Sequence, residues 1–301
     1  MFVTGKLRKI SIVGSGVMGI QIAVRAAWKA GNRVSLTDIS EKAIAASKVR
    51  EEQILSVMAD KGLVTEYEKA KVRELITFTP DLDRSLKGAE LVIEAIIEDL
   101  RAKRELFKKL DAVAPSDAIL ATNSSTIPVS RVEDVTTRRE KILNIHFYDL
   151  ERMPMVDLMG GTKTSKETMM TAEKWARDID CIPIKVNKEL LGFCMNRIWH
   201  SARIEALNMW ANDYVDFETI DRAWMVFTGM SIGPFGMMDN IGLDTVYNVH
   251  MMYYNEANDI SKKPPDKLKE MIDRGDLGVK TGKGFYSYPD PVYVKHDFVK
   301  R

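Results

Sequence analysis

Six residues, Gly14-Ser-Gly16-Val-Met-Gly19, constrain this chain of 301 residues more than any others. They follow a short apolar stretch, Lys9-Ile-Ser-Ile-Val13, that reads as a buried strand, and they open an apolar-periodic helix from Met18 to Ala30. Gly31-Asn32 closes that helix as a C-cap pair. Arg33-Val-Ser-Leu-Thr37 then reads as a second strand, ending at Asp38. Three glycines in this spacing are a weak signal alone. Set between a strand and a helix, with an acid about 20 residues on, they are specific.

The physics assigns each part a task. Gly14 permits the tight turn, Gly16 lets the backbone approach a pyrophosphate, and Gly19 lets helix and strand pack closely. The helix N-terminus at Val17 and Met18 offers free N–H groups and positive dipole to the phosphates. Asp38 is placed to accept hydrogen bonds from the adenosine ribose and to repel a 2′-phosphate, so the expected cofactor is NAD rather than NADP. Arg33, at the other end of its strand, does not offset that charge.

The pattern continues with a helix-forming stretch from Ser40 to Lys61, an interruption at Gly62, and an N-cap at Thr65 opening a helix through Leu75. Residues 40–75 thus read as a helical hairpin. Strand signals resume at Ile76–Phe78, Glu90–Glu94, Ala118–Ala121 and Lys141–Ile145, with a helical pattern from Leu100 to Val113 and a last strand at Ile182–Val186. Strands alternating with helices predict an α/β fold: a Rossmann-type doubly wound, mostly parallel sheet carrying the hairpin insertion. From Leu191 to Asp276 only helical stretches follow, rich in Met and Trp, so an all-α C-terminal domain is expected. The expected boundary divides residues 1–187, binding NAD, from residues 188–301.

Composition narrows the class further. A formal net charge of +1 gives no support to a nucleic-acid or membrane-surface role. No apolar run is long enough to span a bilayer, and the stretch from Met1 to Lys9 lacks the apolar core of a signal peptide. Cys181 and Cys194 have no paired spacing for a metal or a disulfide framework, which fits a reducing cytoplasm.

In an open α/β sheet, chemistry gathers beyond the carboxyl ends of the strands. Three polar clusters fall there in this reading: Glu98 to Lys103, Thr122 to Thr126, and His146 to Asp149 after a strand end. Oxidising a hydroxyl with NAD needs a base near neutrality, which histidine provides. Of the four histidines, His146 alone sits at a strand end; His200, His250 and His296 read as packed or solvated. Asp157, in the short apolar segment Met155 to Leu158, reads equally as the acceptor that fixes the imidazole tautomer or as an ordinary turn or strand-edge acid.

Nearly the whole chain resembles the L-3-hydroxyacyl-CoA dehydrogenases, including the short bacterial 3-hydroxybutyryl-CoA enzymes. The resemblance is carried by Val13–Gly19, Leu91–Ala95, Glu105–Asp111, Ala121–Thr126, Ile145-His-Phe147, Gly192–Arg197, Gly233-Pro-Phe235, Asp239–Asp244 and Lys280–Tyr286, in that order. It implies that His146 is the catalytic base, that Ser125 hydrogen-bonds the reacting 3-oxygen, and that Asn196 binds the substrate's carbonyl region. It further implies NAD contacts from Glu98, Lys103, Ser125 and Lys280, and receipt of CoA by the hairpin, with Lys61 a phosphate or adenine contact or a solvated lysine. An acyl-CoA substrate, a reaction of the fatty-acid β-oxidation kind and a homodimer built through the second domain complete the implied picture.

Two departures stand out. Where the family continues His-Phe with an Asn-Pro pair and later a glutamate, this chain reads His146-Phe-Tyr-Asp-Leu-Glu-Arg-Met-Pro154. Asp149 thus stands for an asparagine that helps hold the nicotinamide end. Asp157 aligns with the glutamate only across a one-residue gap and is a methylene shorter. Asp157, Asp149 or Glu151 could therefore complete the dyad, and a small non-CoA hydroxy acid or hydroxy-amine is the alternative substrate.

Overall fold

The computed structural model describes residues 6–300; residues 1–5, part of the stretch read as lacking a leader's apolar core, lie outside the described residues. The chain divides into two compact units, one through Cys194 and one from Met195.

The first unit is built on one sheet of eight strands: β1 (Lys9–Val13), β2 (Arg33–Thr37), β3 (Ile76–Thr79), β4 (Leu91–Glu94), β5 (Ile119–Thr122), β6 (Ile142–Phe147), β7 (Met155–Gly160) and β8 (Ile182–Val186). Their spatial order is β3-β2-β1-β4-β5-β6-β7-β8. The order reverses beside β1, which leaves a crevice at the carboxyl ends of β1 and β4 where dinucleotides bind in doubly wound sheets. Every pairing is parallel except β6 with β7. All residues of β6 are buried, as a strand covered on both faces must be.

Helices α1 (Val17–Arg25), α2 (Glu41–Asp60), α3 (Glu66–Leu75), α4 (Leu82–Leu86), α5 (Leu100–Val113) and α6 (Lys166–Asp178) flank this sheet. The expected single helix from Met18 to Ala30 instead widens into a π-helical turn over Ala26–Ala30. Gly31 ends it at φ +66°, as its cap position requires. The hairpin forms as read. Ser40 caps α2, and Thr65 with Glu68 makes a reciprocal capping box on α3. Its inner face is not free: Leu55, Met58, Val64 and Val72 join the main core.

Neither α4, α6 nor β7 was anticipated. The segment Met155 to Leu158, read as a short apolar stretch, is a full internal strand antiparallel to β6. A tight return of this kind is open to antiparallel partners alone. The strand preceding it also runs further than expected, so His146 lies within β6 rather than after it.

The second unit holds α7 (Met195–Ala211), α8 (Phe217–Thr228), α9 (Pro234–Ile241), α10 (Leu243–Ala257) and α11 (Asp266–Asp273). Two buried carboxylates organise it. Asp221 accepts the backbone N–H groups of Phe235 and Gly236 and the Tyr286 hydroxyl. Asp239 accepts those of Phe285 and Tyr286 and the Tyr288 hydroxyl. Among the described residues no helix is long and apolar enough to cross a membrane, and no cluster of His, Cys, Asp and Glu could hold a metal.

Candidate active site

The glycine turn is shaped for a ligand. Gly14 has φ +111°, and a Cβ there would lie 2.4 Å from the Ala95 carbonyl oxygen. At Gly19 a Cβ would sit 1.9 Å from the Gly14 oxygen, so helix and turn close only on a hydrogen. Gly16 is different: nothing lies within 4 Å of its missing Cβ. That open space lies at the N-terminus of α1, which has neither a side-chain cap nor an acid in its first turn. Its N–H groups and dipole are therefore left for an anion, and the cradle fits a dinucleotide pyrophosphate. Val17 is exposed and Met18 half-buried at this end.

Asp38 follows β2 and is held beside the turn by the backbone N–H and hydroxyl of Ser15 at 2.9 and 3.1 Å, with the Ser40 N–H at 3.0 Å. Its position beyond the strand end suits a ribose diol, while Arg33 is at the start of the same strand.

Across the crevice a polar network braces the ends of β4 and β5. Lys103 is only 1% exposed, and its ammonium lies 2.6 Å from Glu94 and 3.3 Å from Glu98. Glu94, fully buried, also accepts the Thr122 hydroxyl at 2.6 Å and the Ile96 N–H at 2.8 Å. Partial burial pushes the Glu98 carboxyl upward. Hydrogen bonds from Ser124 and Thr126, with the Lys103 charge, outweigh it and hold that carboxyl below its ordinary value. Lys103 is thus committed to two carboxylates inside the protein, whereas Glu98 keeps an exposed edge.

Beside this network runs a line of hydrogen bonds. The Ser125 hydroxyl lies 3.1 Å from His146 Nε2, and His146 Nδ1 lies 3.2 Å from Asp157 Oδ2. A carboxylate can only accept, so the neutral imidazole carries its proton on Nδ1 and turns the Nε2 lone pair toward Ser125. The β6–β7 register makes this contact, since His146 pairs directly opposite Asp157. The imidazole is 4% exposed and Asp157 fully buried, while Ser125 is exposed. Phe193 stacks on the imidazole with ring centres 4.7 Å apart and planes within 6°. It does so from the left-handed backbone region, at φ +52°, a conformation that costs a residue other than glycine about 1–3 kcal/mol.

Of the three acids left open by the sequence, only Asp157 meets His146. Asp149 instead receives the Glu151 N–H at 3.1 Å and turns the chain between β6 and β7. Glu151 is exposed and lines a groove on the hairpin side. Lys61 lines the same groove, with Gln21, Trp28, Ile54 and Lys29. Asn196 and Lys280 belong to the second unit. Asn196 is the second residue of α7, and the Lys280 ammonium lies 2.6 Å from both oxygens of Asp244.

Sequence reasoning missed Glu94, Tyr148, Phe193 and Asn123, whose side-chain oxygen accepts the Phe147 N–H at 2.8 Å. A signal existed for Glu94, an acid ending an otherwise apolar strand. None existed for Phe193, whose role depends on a turn of the backbone.

The chain matches the model of the 3-hydroxyacyl-CoA dehydrogenase NAD-binding domain over residues 9–190 and that of the family's C-terminal domain over residues 192–288. It is 31% identical to a 3-hydroxybutyryl-CoA dehydrogenase of Mycobacterium tuberculosis, over 94% of this chain and 99% of that one. The solved (S)-3-hydroxybutyryl-CoA dehydrogenase PaaH1 of Ralstonia eutropha superposes with a TM-score of 0.88 at 32% identity, covering 94% of this chain and all of the other. A diketoreductase acting on dicarbonyl compounds is similar too, with a TM-score of 0.85 at 32% identity, covering 95% of this chain and all of that one. With both domain models matched in order along a sheet of the expected topology, the chain belongs to the 3-hydroxyacyl-CoA dehydrogenase family.

Proposed function

We propose that this chain reversibly oxidises a short L-3-hydroxyacyl-CoA, such as 3-hydroxybutyryl-CoA, to the 3-ketoacyl-CoA with NAD. The observation that carries the reading is the line Ser125, His146, Asp157, which ends on an exposed hydroxyl. When bound, NAD supplies the hydride acceptor. Its pyrophosphate is assigned to Gly14, Gly16, Val17, Met18 and Gly19, and its adenosine ribose to Asp38. Glu98, steadied by Lys103, and Lys280 are assigned to its nicotinamide half, together with Ser125 and the segment at Asp149.

His146 takes the substrate hydroxyl proton at Nε2 as hydride leaves C3. Asp157 stabilises the imidazolium so formed, and Ser125 and Asn196 orient the substrate oxygens. In reduction the imidazolium returns the proton. The thioester part of the reading is supported by the groove of roughly 290 Å³ beside α2, where Lys61 stands by apolar Val24, Ile54 and Val57, while Arg25 and Lys29 in the same lining are paired with Asp180. A lysine beside an apolar floor suits an adenine ring with a nearby phosphate. A cytoplasmic homodimer is the proposed form. The second unit supports it with Val226 and Phe227 at the end of α8, the latter 90% exposed.

The diketoreductase likeness and the rebuilt segment after Phe147 favour one second reading, a small non-CoA carbonyl or hydroxyl substrate. Following NADH consumption with acetoacetyl-CoA beside free acetoacetate separates the two. The proposal expects the thioester to be preferred by at least about 100-fold in kcat/KM, equivalent to roughly 3 kcal/mol of binding energy from the CoA portion. Equal rates, or preference for the free acid, would sink the thioester assignment.

A further inference from the structure

The carboxylate of Asp157 has a second donor. Its Oδ2 faces His146 Nδ1 at 3.2 Å and also accepts the Tyr148 hydroxyl at 2.5 Å. Its Oδ1 has no hydrogen-bond partner among the described residues. Both donors therefore converge on one oxygen of a fully buried group.

Strand geometry brings them there. His146 is the penultimate residue of β6 and Tyr148 is two residues further on, a spacing that sends both side chains to one face. Asp157 reaches that face from β7, directly opposite His146. The Tyr148 ring meets the imidazole edge-on, with centres 4.8 Å apart and planes at 73°. Phe193 covers the imidazole face to face. Among the described residues the hydrogen-bond and ring partners of the imidazole are Asp157 from β7, Tyr148 beyond β6, Ser125 beyond β5 and the apolar Phe193, of which Asp157 and Tyr148 titrate.

We propose that Tyr148 is a positioning residue whose hydroxyl shares the charge of Asp157 and so sets the pH range in which His146 accepts a proton. The inference rests on His146 being the base. A carboxylate that already accepts one strong hydrogen bond stabilises the neighbouring imidazolium less than one left to it alone. Removing the hydroxyl takes one hydrogen bond from the buried charge and leaves its Oδ2 to the imidazole, and the imidazolium form gains. A shorter acid than the glutamate of the family thus works within a three-membered arrangement, Ser125 aside.

The test is the pH dependence of kcat/KM for hydroxyacyl-CoA oxidation in Tyr148→Phe, which keeps the ring and its edge contact. The acidic limb is expected to move upward by roughly 0.5–1 pH unit, the equilibrium equivalent of one net hydrogen bond. On the acidic side of the limb activity should fall about 3- to 10-fold on the same grounds, and by less at neutral pH, with KM for both ligands near wild type. A limb that stays in place, or moves downward, overturns the proposal and leaves Tyr148 as packing. His146→Ala run alongside separates the two claims: if it stays active, the base assignment itself has failed. Should Tyr148→Phe be too slow to assay, NMR titration of the His146 imidazole in the NADH-bound variant reads the same shift, and no upward shift there overturns the proposal equally.

Discussion

At the scale of single residues the proposed site depends on two side chains almost closed to water, His146 and Asp157. Asp157 is fully buried beside a nearly buried imidazole, so its charge acts on His146 with little screening. Asp157→Asn keeps the shape but removes that charge and can present an amide N–H to Nδ1, turning the tautomer the wrong way. We expect kcat to fall roughly 10²- to 10⁴-fold with NADH affinity unchanged, checked by steady-state kinetics and NADH fluorescence titration. The glycines divide in the same spirit. Gly16→Ala projects a methyl into open space, so thermal stability should hold while NADH binding weakens by about tenfold or more. Gly19→Ala meets the Gly14 carbonyl instead and should destabilise the fold by about 1–3 kcal/mol, read as a lowered denaturation midpoint. The sequence made the glycines, Asp38 and His146 legible because each is a residue type with one narrow use at its spacing. It left Asp157, Asp149 and Glu151 open, because three acids within one short segment differ in reach by geometry that no spacing records. Tyr148 gave no signal, since a tyrosine near a strand end is most often packing.

At the scale of elements, the pairing of β6 with β7 decides the outcome. The sheet up to β6 was readable from apolar runs bounded by turns, and α2, α3 and α5 from caps and periodicity. β7 was not, because its polar Asp157 interrupts an already short run and its partner is antiparallel where the pattern elsewhere is parallel. The motifs of the second unit take on a structural meaning once seen folded. A Cβ at Gly284 would lie 2.1 Å from Asp239 Oδ1, and one at Gly233 would lie 2.4 Å from the Asp221 carboxyl carbon. These glycines admit the two organising carboxylates. Helices α7 and α10 also bury His200 against His250 and Tyr253, with ring centres 4.4 and 3.7 Å away. Burial, then the Arg203 charge, lowers His200 to about 4; burial, then His200 and Arg203, lowers His250 to about 2. Both stay neutral when folded, while the unfolded chain protonates them below about 6.5. They cost nothing by protonation above that pH, and stability is lost as pH falls toward 4, by roughly 1 kcal/mol per pH unit for each histidine. Urea denaturation at pH 7 and pH 5 should show that loss, and His250→Met should flatten it; a pH-independent midpoint would contradict it.

At the scale of the whole molecule, the proposed chemistry lies at the strand ends of the first unit, and Asn196 and Lys280 belong to the second. Fold class and cofactor followed from the amino-terminal motif, because a strand, a glycine turn, a helix and an acid must all cooperate to bind one ligand. Acyl-chain length did not, since Met195, Met209, Met230 and Met237 serve equally as packing or pocket wall. Light scattering is expected to give twice the 34.1 kDa chain mass, and Phe227→Lys to shift it toward one chain. The most direct test of the account is turnover of acetoacetyl-CoA by His146→Ala with NADH affinity measured on the same sample. The account predicts a loss of roughly 100- to 10,000-fold in kcat with NADH still bound as in wild type. Near-normal turnover with intact binding would contradict it, and would move the base to another group in the crevice.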